Sequence, residues 1–450
     1  MHHATRRSGS WSHGWHNRPD QVNLLFHIAW FAGAVLCVVA LVAVYTTLAV
    51  NAEAKRQDDV VSVPVIATAP DAFMRTLAAV AGPSVCAGNE VRLYQNGDEI
   101  FPPMLDAIAQ ARDSVHFSTY VYYAGRVPDQ FASAFEAAAR RGVTVRVVLD
   151  RNGAKKISPQ RILDMRRAGC DVRWFRPMQW YDWKKYNRRT HRRLLVVDGE
   201  IGFTGGVGIA DEWSGRGDGP THWRDSHVRI LGPVVHDLQA AFADNWNEAT
   251  GQLLLGAQYF PALEPRGDTP VCIVESNPTN ATSAAQRSIA ALVAGASRSL
   301  SITNAYFVPT PPFVRALCAA RARGVDVKIV VPGPFHNKPS VRRASRHTWN
   351  DLLEGGVELS EHQRTMVHAK VLVADDEITM VGSINFDPRS FALNAECAAV
   401  MLDRGLAASA TAAFRTDLSN ARRVTLDDVR ARSLITRAID AAAYWVRGQL

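Results

Sequence analysis

The apolar positions of the chain fall into distinct patterns along its length. An uncharged run from Ile28 to Val50 follows a polar tail, residues 1–22, rich in His, Trp and Arg. A helix rising 1.5 Å per residue over such a run reaches across the hydrocarbon core of a bilayer, so residues 23–50 predict a transmembrane anchor. The competing reading is a cleaved signal peptide, with small residues at Ala52-Glu53-Ala54, but the run exceeds the usual apolar core of one. Arg6, Arg7 and Arg18 precede the run; Lys55 and Arg56 follow it, which leans the N-terminus inward and the remaining chain outward. Residues 51–85 read as a membrane-proximal linker, where Pro64, Pro70 and Pro83 leave room only for a short helix with the stripe Phe73, Leu77 and Val80.

From Val91 the pattern alternates. Val91–Tyr94 reads as a strand and Asn96-Gly97-Asp98 as a turn, followed by helical spacing over Met104–Ala111 and a strand over Val115–Tyr122. Asp129–Arg141 predicts a helix stopped by Gly142, and Val143–Leu149 a buried strand. The order then recurs: helix over Ala285–Ala296, strand over Ser299–Phe307, helix over Pro312–Arg323 stopped by Gly324, and a strand over Val325–Val331. AAARRGVTVRVVLD (137–150) and AARARGVDVKIVVPG (319–333) are the clearest pair. A repeated α/β unit is the economical explanation. It predicts a first half over 86–255, a second over 256–425 and a basic C-terminal helix over 426–450.

Charge narrows the partners. A formal net charge of +8 suits an anionic partner, nucleic acid or anionic lipid, or a merely solubilising surface. The six cysteines form no CxxC pair and no Cys/His cluster, so neither a zinc site nor a disulfide framework is expected.

The candidate chemistry lies in Thr365–Glu396. His368-Ala369-Lys370 places imidazole and ammonium on one face of a strand, so Lys370 can bind the anion on which His368 acts. Ser383 and Asn385 share a parity and can bond phosphate oxygens, and Glu396 can hold an imidazole N–H and fix its tautomer. The first half carries an imperfect copy. His191 and Asp198 keep the spacing of His368 and Asp375, and Gly205-Gly206-Val207-Gly208 stands where the second half has Gly382-Ser383-Ile384-Asn385. Two histidines from related halves can meet across a pseudo-twofold axis, one as nucleophile and one as general acid.

HxKxxxxD followed by GSxN resembles the signature of the phospholipase D superfamily. The stretches WRDSHVRILGPVVHDLQAAFADNW (223–246), YFVPTPPFVRAL (306–317) and VGSINFDPRSFALNAE (381–396) resemble bacterial cardiolipin synthases. The resemblance covers about residues 90–430. It implies an α/β fold of two fused, pseudo-twofold-related phospholipase D-like α/β/α halves, preceded by one transmembrane helix. It also implies a phosphohistidine intermediate, with His191 as nucleophile and His368 as acid. By the same resemblance Arg193 and Lys370 neutralise the phosphoryl oxygens, Ser383 and Asn385 complete the phosphate pocket, and Glu396 and Asp225 orient the imidazoles. Asp198 and Asp375 complete the catalytic motif, with support of the local fold as their expected part. No cofactor and no metal are expected.

Two departures stand out: Arg193 replaces the family's Lys, and Gly208 replaces an Asn, which removes a phosphate donor. Lys184, Lys185, Arg188, Arg189, Arg192 and Arg193, among Trp180, Tyr181, Trp183 and Tyr186, form a basic-aromatic stretch fit for anionic headgroups, single-stranded nucleic acid or plain solvation. The reading that follows is an inner-membrane, single-pass phosphatidyltransferase that joins phosphatidylglycerol molecules into cardiolipin. Its partners are anionic phospholipids and the membrane; no nucleic acid is expected, and the oligomeric state is open. The alternatives are a phospholipase D hydrolase or other transphosphatidylase, a nuclease, and an inactive membrane-tethered binding protein.

Overall fold

The computed structural model describes residues 19–58, 70–82, 84–176, 188–278 and 282–450. The basic-aromatic residues Trp180 to Tyr186 lie outside them, as does most of the polar tail. The chain divides into two compact units, Met1–Val50 and Asn51–Leu450. In the first unit a helix begins at Pro19, and its bounds are Pro19–Asp58. Its described side chains, among them Leu24, Phe26, Trp30, Phe31, Leu36 and Leu41, are exposed. Among the described residues no helix is long and apolar enough to cross a membrane; the side chains of residues 19–23, 25, 43 and 46–58 are not among them.

The second unit is built on one sheet. Its strands are β1 (Cys86–Gln95), β2 (Ser114–Thr119), β3 (Thr144–Asp150), β4 (Asp171–Phe175), β5 (Arg189–Thr190), β6 (Leu194–Val197), β7 (Ile201–Gly205) and β8 (Ser226–Leu231). They continue with β9 (Thr269–Ser276), β10 (Ser299–Asn304), β11 (Asp326–Pro332), β12 (Glu358–His362), β13 (Lys370–Ala374), β14 (Ile378–Gly382), β15 (Asn394–Leu402) and β16 (Ala421–Arg423). The order across the sheet is β16-β12-β11-β10-β13-β14-β15-β9-β1-β8-β7-β6-β2-β3-β4, with β5 added beside β15. Read outward from the β9–β1 junction, the two sides repeat: β15, β14, β13, β10, β11, β12 on one, β8, β7, β6, β2, β3, β4 on the other. In each, two parallel pairings at the outside (β10–β11–β12, β2–β3–β4) give way to antiparallel pairings toward the centre.

The crossover helices follow from spacing. The helix Arg126–Arg140 buries Val127, Phe131, Ala132, Phe135 and Ala138, a stripe of helical period that covers one side of the first repeat. Phe131 and Phe135 have no exposed surface, and full burial of such a ring stabilises by roughly 1.5–3 kcal/mol. Gly142 and Gly324 end the equivalent helices at φ of 92° and 94°, a left-handed step that a side chain resists. The helix Pro70–Ala81 buries Phe73 and Leu77 against the second repeat but leaves Val80 exposed. One expectation is corrected nearby. Asn96 turns the chain at φ 59°, yet a helix begins there at once and runs over Asn96–Gln110.

The junction has its own core. The helix Val235–Thr250 sets Leu238, Phe242 and Trp246 against Val271, Ile273, Cys397 and Ala399, joining residues from both repeats. A junction buried in this way makes the two repeats one rigid support for whatever lies at their shared edge.

Candidate active site

Each candidate histidine sits just before a strand, where its backbone bonds to the opposite repeat. The His191 N–H donates to the Ala395 carbonyl at 2.7 Å, and the His368 N–H donates to the Arg224 carbonyl at 2.7 Å. The acceptor in each case is the residue immediately before a carboxylate. The side chains therefore cross in the same sense. His191 Nδ1 lies 2.9 and 3.1 Å from the Glu396 oxygens, and His368 Nδ1 lies 2.8 Å from Asp225 Oδ2. Nδ1–H is then the donor in both rings, and Nε2 is left with its lone pair toward the interior. Both carboxylates are fully buried and anchored in turn: Ser383 Oγ donates to Glu396 at 2.5 Å, and the Trp213 indole N–H donates to Asp225 at 2.8 Å.

A cation attends each ring. Arg193 donates to the His191 carbonyl at 2.8 Å and stands 3.0 Å from its Nε2. Lys370 donates to the His368 carbonyl and stands 2.9 and 3.2 Å from its two ring nitrogens. Arg193 thus makes in the first repeat the same kind of contact that Lys370 makes in the second. Aromatic rings fix the imidazole planes. Tyr120 meets His191 edge-on at 5.1 Å, Trp213 meets His368 edge-on at 5.0 Å, and Trp223 stacks on His368 at 5.5 Å.

Both imidazoles open on one cavity of about 230 Å³, lined also by Tyr120, Tyr306, Arg193, Asn385 and a group of further cations. Nitrogen nucleophile, proton donor and buried positive charge converge there, the set required for transfer of a phosphoryl ester through a covalent intermediate.

The family model for the cardiolipin synthase phospholipase D-like domain matches residues 104–218 and 289–418, which covers more than half of the chain. This chain belongs to that family. The major cardiolipin synthase ClsA of Bacillus subtilis is 32% identical over 78% of this chain and 73% of its own length. Cardiolipin synthase 1 of Bacillus anthracis is 31% identical over 78% of this chain and 70% of its own. Among solved structures, phosphatidylserine synthase of Haemophilus influenzae Rd KW20 shares the fold, with a TM-score of 0.62 at 11% identity over 84% of this chain and 100% of that one.

In this phospholipase D-like site the expected residues do not all reach the cavity. Asp198 and Asp375, counted with the catalytic motif, are corrected only in that neither lines the cavity; they take the fold-supporting part expected of them. Each lies at the far end of the strand that its histidine precedes, at φ 54° and 57° in the turn, and receives backbone N–H groups: those of residues 112, 113 and 114 for Asp198, and of 297, 298 and 299 for Asp375. The motif's Asp therefore ties a hairpin turn to the neighbouring strand entrance. Ser383 is also corrected. Its hydroxyl donates to Glu396 and accepts from the Cys397 N–H at 3.0 Å, so it positions a carboxylate and does not line the cavity. Asn385 does line the cavity, and its Oδ1 has no hydrogen-bond partner among the described residues. Arg192 leaves the basic stretch altogether: it is fully buried, 2.9 Å from Asp244 and 2.7 Å from Glu275.

The glycines of the first half have a steric cause. A Cβ on Gly206 would stand 2.0 Å from Asp225 Oδ1, and one on Gly208 would stand 2.7 Å from the Val121 Cβ and 3.1 Å from the Trp213 ring. The indole fills the place where the second repeat carries Asn385, and its N–H supplies to Asp225 what the Ser383 hydroxyl supplies to Glu396. Sequence spacing did not single out Trp213, Trp223, Tyr120 or Tyr306, because their value lies in a ring packed on an imidazole from a distant segment. Trp223 and Tyr306 stood inside the stretches 223–246 and 306–317 without a part of their own, and a Trp 12 residues before Asp225 was the available signal for Trp213.

Burial, then the neighbouring cation, lowers the pKa of both active-site rings: His191 to about 4 beside Arg193, and His368 well below the ordinary value beside Lys370. Glu396 and Asp225 are held ionised despite burial, through their bonds and charges with those histidines. Burial also lowers His116 to about 4, and His227 and His336 to about 3. An imidazole whose folded pKa lies below its unfolded value binds protons better when unfolded, so stability is lost as pH falls from about 6.5 toward 4. One ring lowered from 6.5 to about 4 contributes at most about 3 kcal/mol. Asp387, raised to about 6 by burial, opposes this. The denaturant midpoint is expected to fall steeply between pH 6.5 and 4.5; a midpoint constant over that range would show that the rings are not held neutral.

Proposed function

We propose that this cardiolipin synthase family member transfers a phosphatidyl group from one phosphatidylglycerol to another, forming cardiolipin and releasing glycerol. The observation that carries this reading is the crossed pair: two neutral imidazoles, each oriented by the other repeat's carboxylate and each beside a buried cation, on one cavity. The His191 Nε2 lone pair attacks the phosphodiester phosphorus, and the bond from phosphorus to the glycerol headgroup oxygen breaks. His368 gives that oxygen its proton. The acceptor's headgroup hydroxyl then attacks the phosphohistidine, returning its proton to His368 and freeing His191. Both rings start neutral because burial, and after it the charge of Arg193 and Lys370 beside them, lowers their pKa. A phosphate anion bound between those cations offsets their charge and lifts the His368 pKa toward the value an acid needs. Arg193 and Lys370 bind the phosphoryl oxygens, with Asn385 beside them.

The membrane context belongs to the same proposal. Residues 23–50 serve as a single-pass anchor in the inner membrane with the catalytic unit outside, and the halves divide as 86–255 and 256–425. The helix Leu434–Trp445 leaves Leu434, Ile435, Ile439 and Trp445 exposed along one side, which supports contact with the lipid interface.

The test is incubation of the membrane-reconstituted chain with labelled phosphatidylglycerol. Cardiolipin and glycerol are the expected products. Phosphatidic acid alone would favour a hydrolase, and turnover of labelled DNA in its place would favour a nuclease. His191→Ala and His368→Ala should each abolish turnover. Arg193→Lys is expected to retain the product and lose part of the rate, because an ammonium keeps the charge but gives up the planar fork that can hold two phosphoryl oxygens at once.

A further inference from the structure

Besides Arg193, the cavity is lined by Lys155 and by a further group of cations: Arg189, Lys338 and Arg389. They come from different parts of the fold. Arg189 lies on β5, beside Asn394 of β15; Lys338 caps the helix Pro339–His347; Arg389 lies on the short helix Pro388–Ala392. The fields of Arg389, Asp387 and Arg189 meet at the Lys338 ammonium, and those of Arg189 and Asp387 at the Arg389 guanidinium. Carboxyls also face the group: Asp387, buried, raised to about 6 by burial and capping the Ser390 N–H at 2.7 Å, and Asp150, whose charge acts on Arg189 and Arg389. Guanidinium and ammonium groups on the wall of one cavity offer a phosphate anion several charge-assisted donors at once.

Two aromatic rings give the distance of this group from the chemistry. The Tyr306 ring lies 6.1 Å from the His368 ring and carries the Lys338 Nζ over it at 5.2 Å. The Tyr120 ring touches His191 at 5.1 Å and lies in the fields of Arg389 and Arg189. Lys338 therefore stands about one ring's breadth beyond the His368 imidazole, a reach that a single glycerol unit can bridge.

We infer that Arg189, Lys338 and Arg389 form a second phosphodiester subsite, which holds the phosphate of the acceptor lipid while its headgroup hydroxyl reaches the phosphohistidine. This deepens the proposed function and rests on it. Arg193 and Lys370 serve the phosphate that reacts, and a reaction joining two phospholipids brings a second phosphate that does not. Water and simple alcohols carry no such anion, so the subsite favours transfer to a lipid over hydrolysis.

The experiment offers the reconstituted full chain labelled phosphatidylglycerol together with butanol, and measures cardiolipin against phosphatidylbutanol. Both products need the same phosphohistidine, and only one needs an acceptor phosphate. Lys338, exposed at the cavity rim, is the residue to change. Lys338→Ala is expected to lower the ratio of cardiolipin to phosphatidylbutanol about tenfold, the worth of one charge-assisted contact. Lys338→Arg should restore it. An equal loss of both products, or an unchanged ratio, would overturn the subsite while leaving the synthase reading intact. A wild-type chain that forms phosphatidylbutanol but no cardiolipin would overturn both.

Discussion

Glu396→Gln is expected to slow turnover by roughly 10²–10⁴-fold while leaving the fold in place. The amide keeps the shape of the carboxylate but not its charge, and it can donate where the carboxylate only accepts. The His191 ring is then free to carry its proton on Nε2, the atom that must attack. Asp225→Asn acts on the other ring: it weakens the support of the protonated His368 and so slows departure of glycerol. The two variants separate on a donor whose leaving group needs no proton, such as a nitrophenyl phosphodiester. With it, Asp225→Asn should form and accumulate phosphohistidine, and Glu396→Gln should not. The opposite pattern would exchange the roles of His191 and His368. Equal damage to both steps in both variants would mean that the carboxylates act on the fold and not on the individual rings. The bond lengths of 2.9 Å to His191 and 2.8 Å to His368 make each pairing specific enough for this test.

The second large effect concerns the first half-site. Gly208→Asn places there the residue that the second repeat has at Asn385, and the motif alone would suggest a gain of phosphate binding. The opposite is expected. The new Cβ meets Val121 at 2.7 Å and the Trp213 ring at 3.1 Å, and overpacking of this kind costs about 1–3 kcal/mol. Displacing the indole also removes the 2.8 Å bond that holds Asp225 against His368, so activity should fall along with stability. Trp213→Ala in the same chain should relieve the overpacking, and the double variant should be less destabilised than the sum of the singles. Denaturant unfolding and turnover measure the two effects. A Gly208→Asn chain of unchanged stability and raised activity would show that the half-site lacks only a donor.

Particular residues mark how far sequence reading reached. The period of the apolar positions located the helix after Gly125 and the strands on either side of it, because burial of one helix face and of a whole central strand leaves a direct imprint on residue type. The turn assigned at Asn96 was read correctly as a change of direction and wrongly as an element of its own, since a helix start and a turn share the same residue types. His191 and His368 were legible as a pair, because the motif repeats with its spacing intact. Ser383 was misread: a hydroxyl suited to phosphate is equally suited to a carboxylate, and only the nearby Glu396 decides between them. Asp198 and Asp375 stood in the catalytic motif with support of the local fold as their expected part, and their bonds agree with that part. A carboxylate in a motif looks catalytic until its acceptors are seen to be filled by the backbone N–H groups of a neighbouring strand entrance.

By itself, then, the sequence determined the repeated α/β unit, the two histidines and the class of chemistry, all of which follow from local periodicity and from residues a few positions apart. Only the tertiary structure decided which carboxylate serves which ring. His191 is served by a residue 205 positions away and His368 by one 143 positions away, and no local pattern encodes a pairing made across the junction of two repeats. The same holds for Gly206 and Gly208. Their lack of side chains looks like a loss along the sequence, and in the folded chain it is the space that Asp225 and Trp213 occupy.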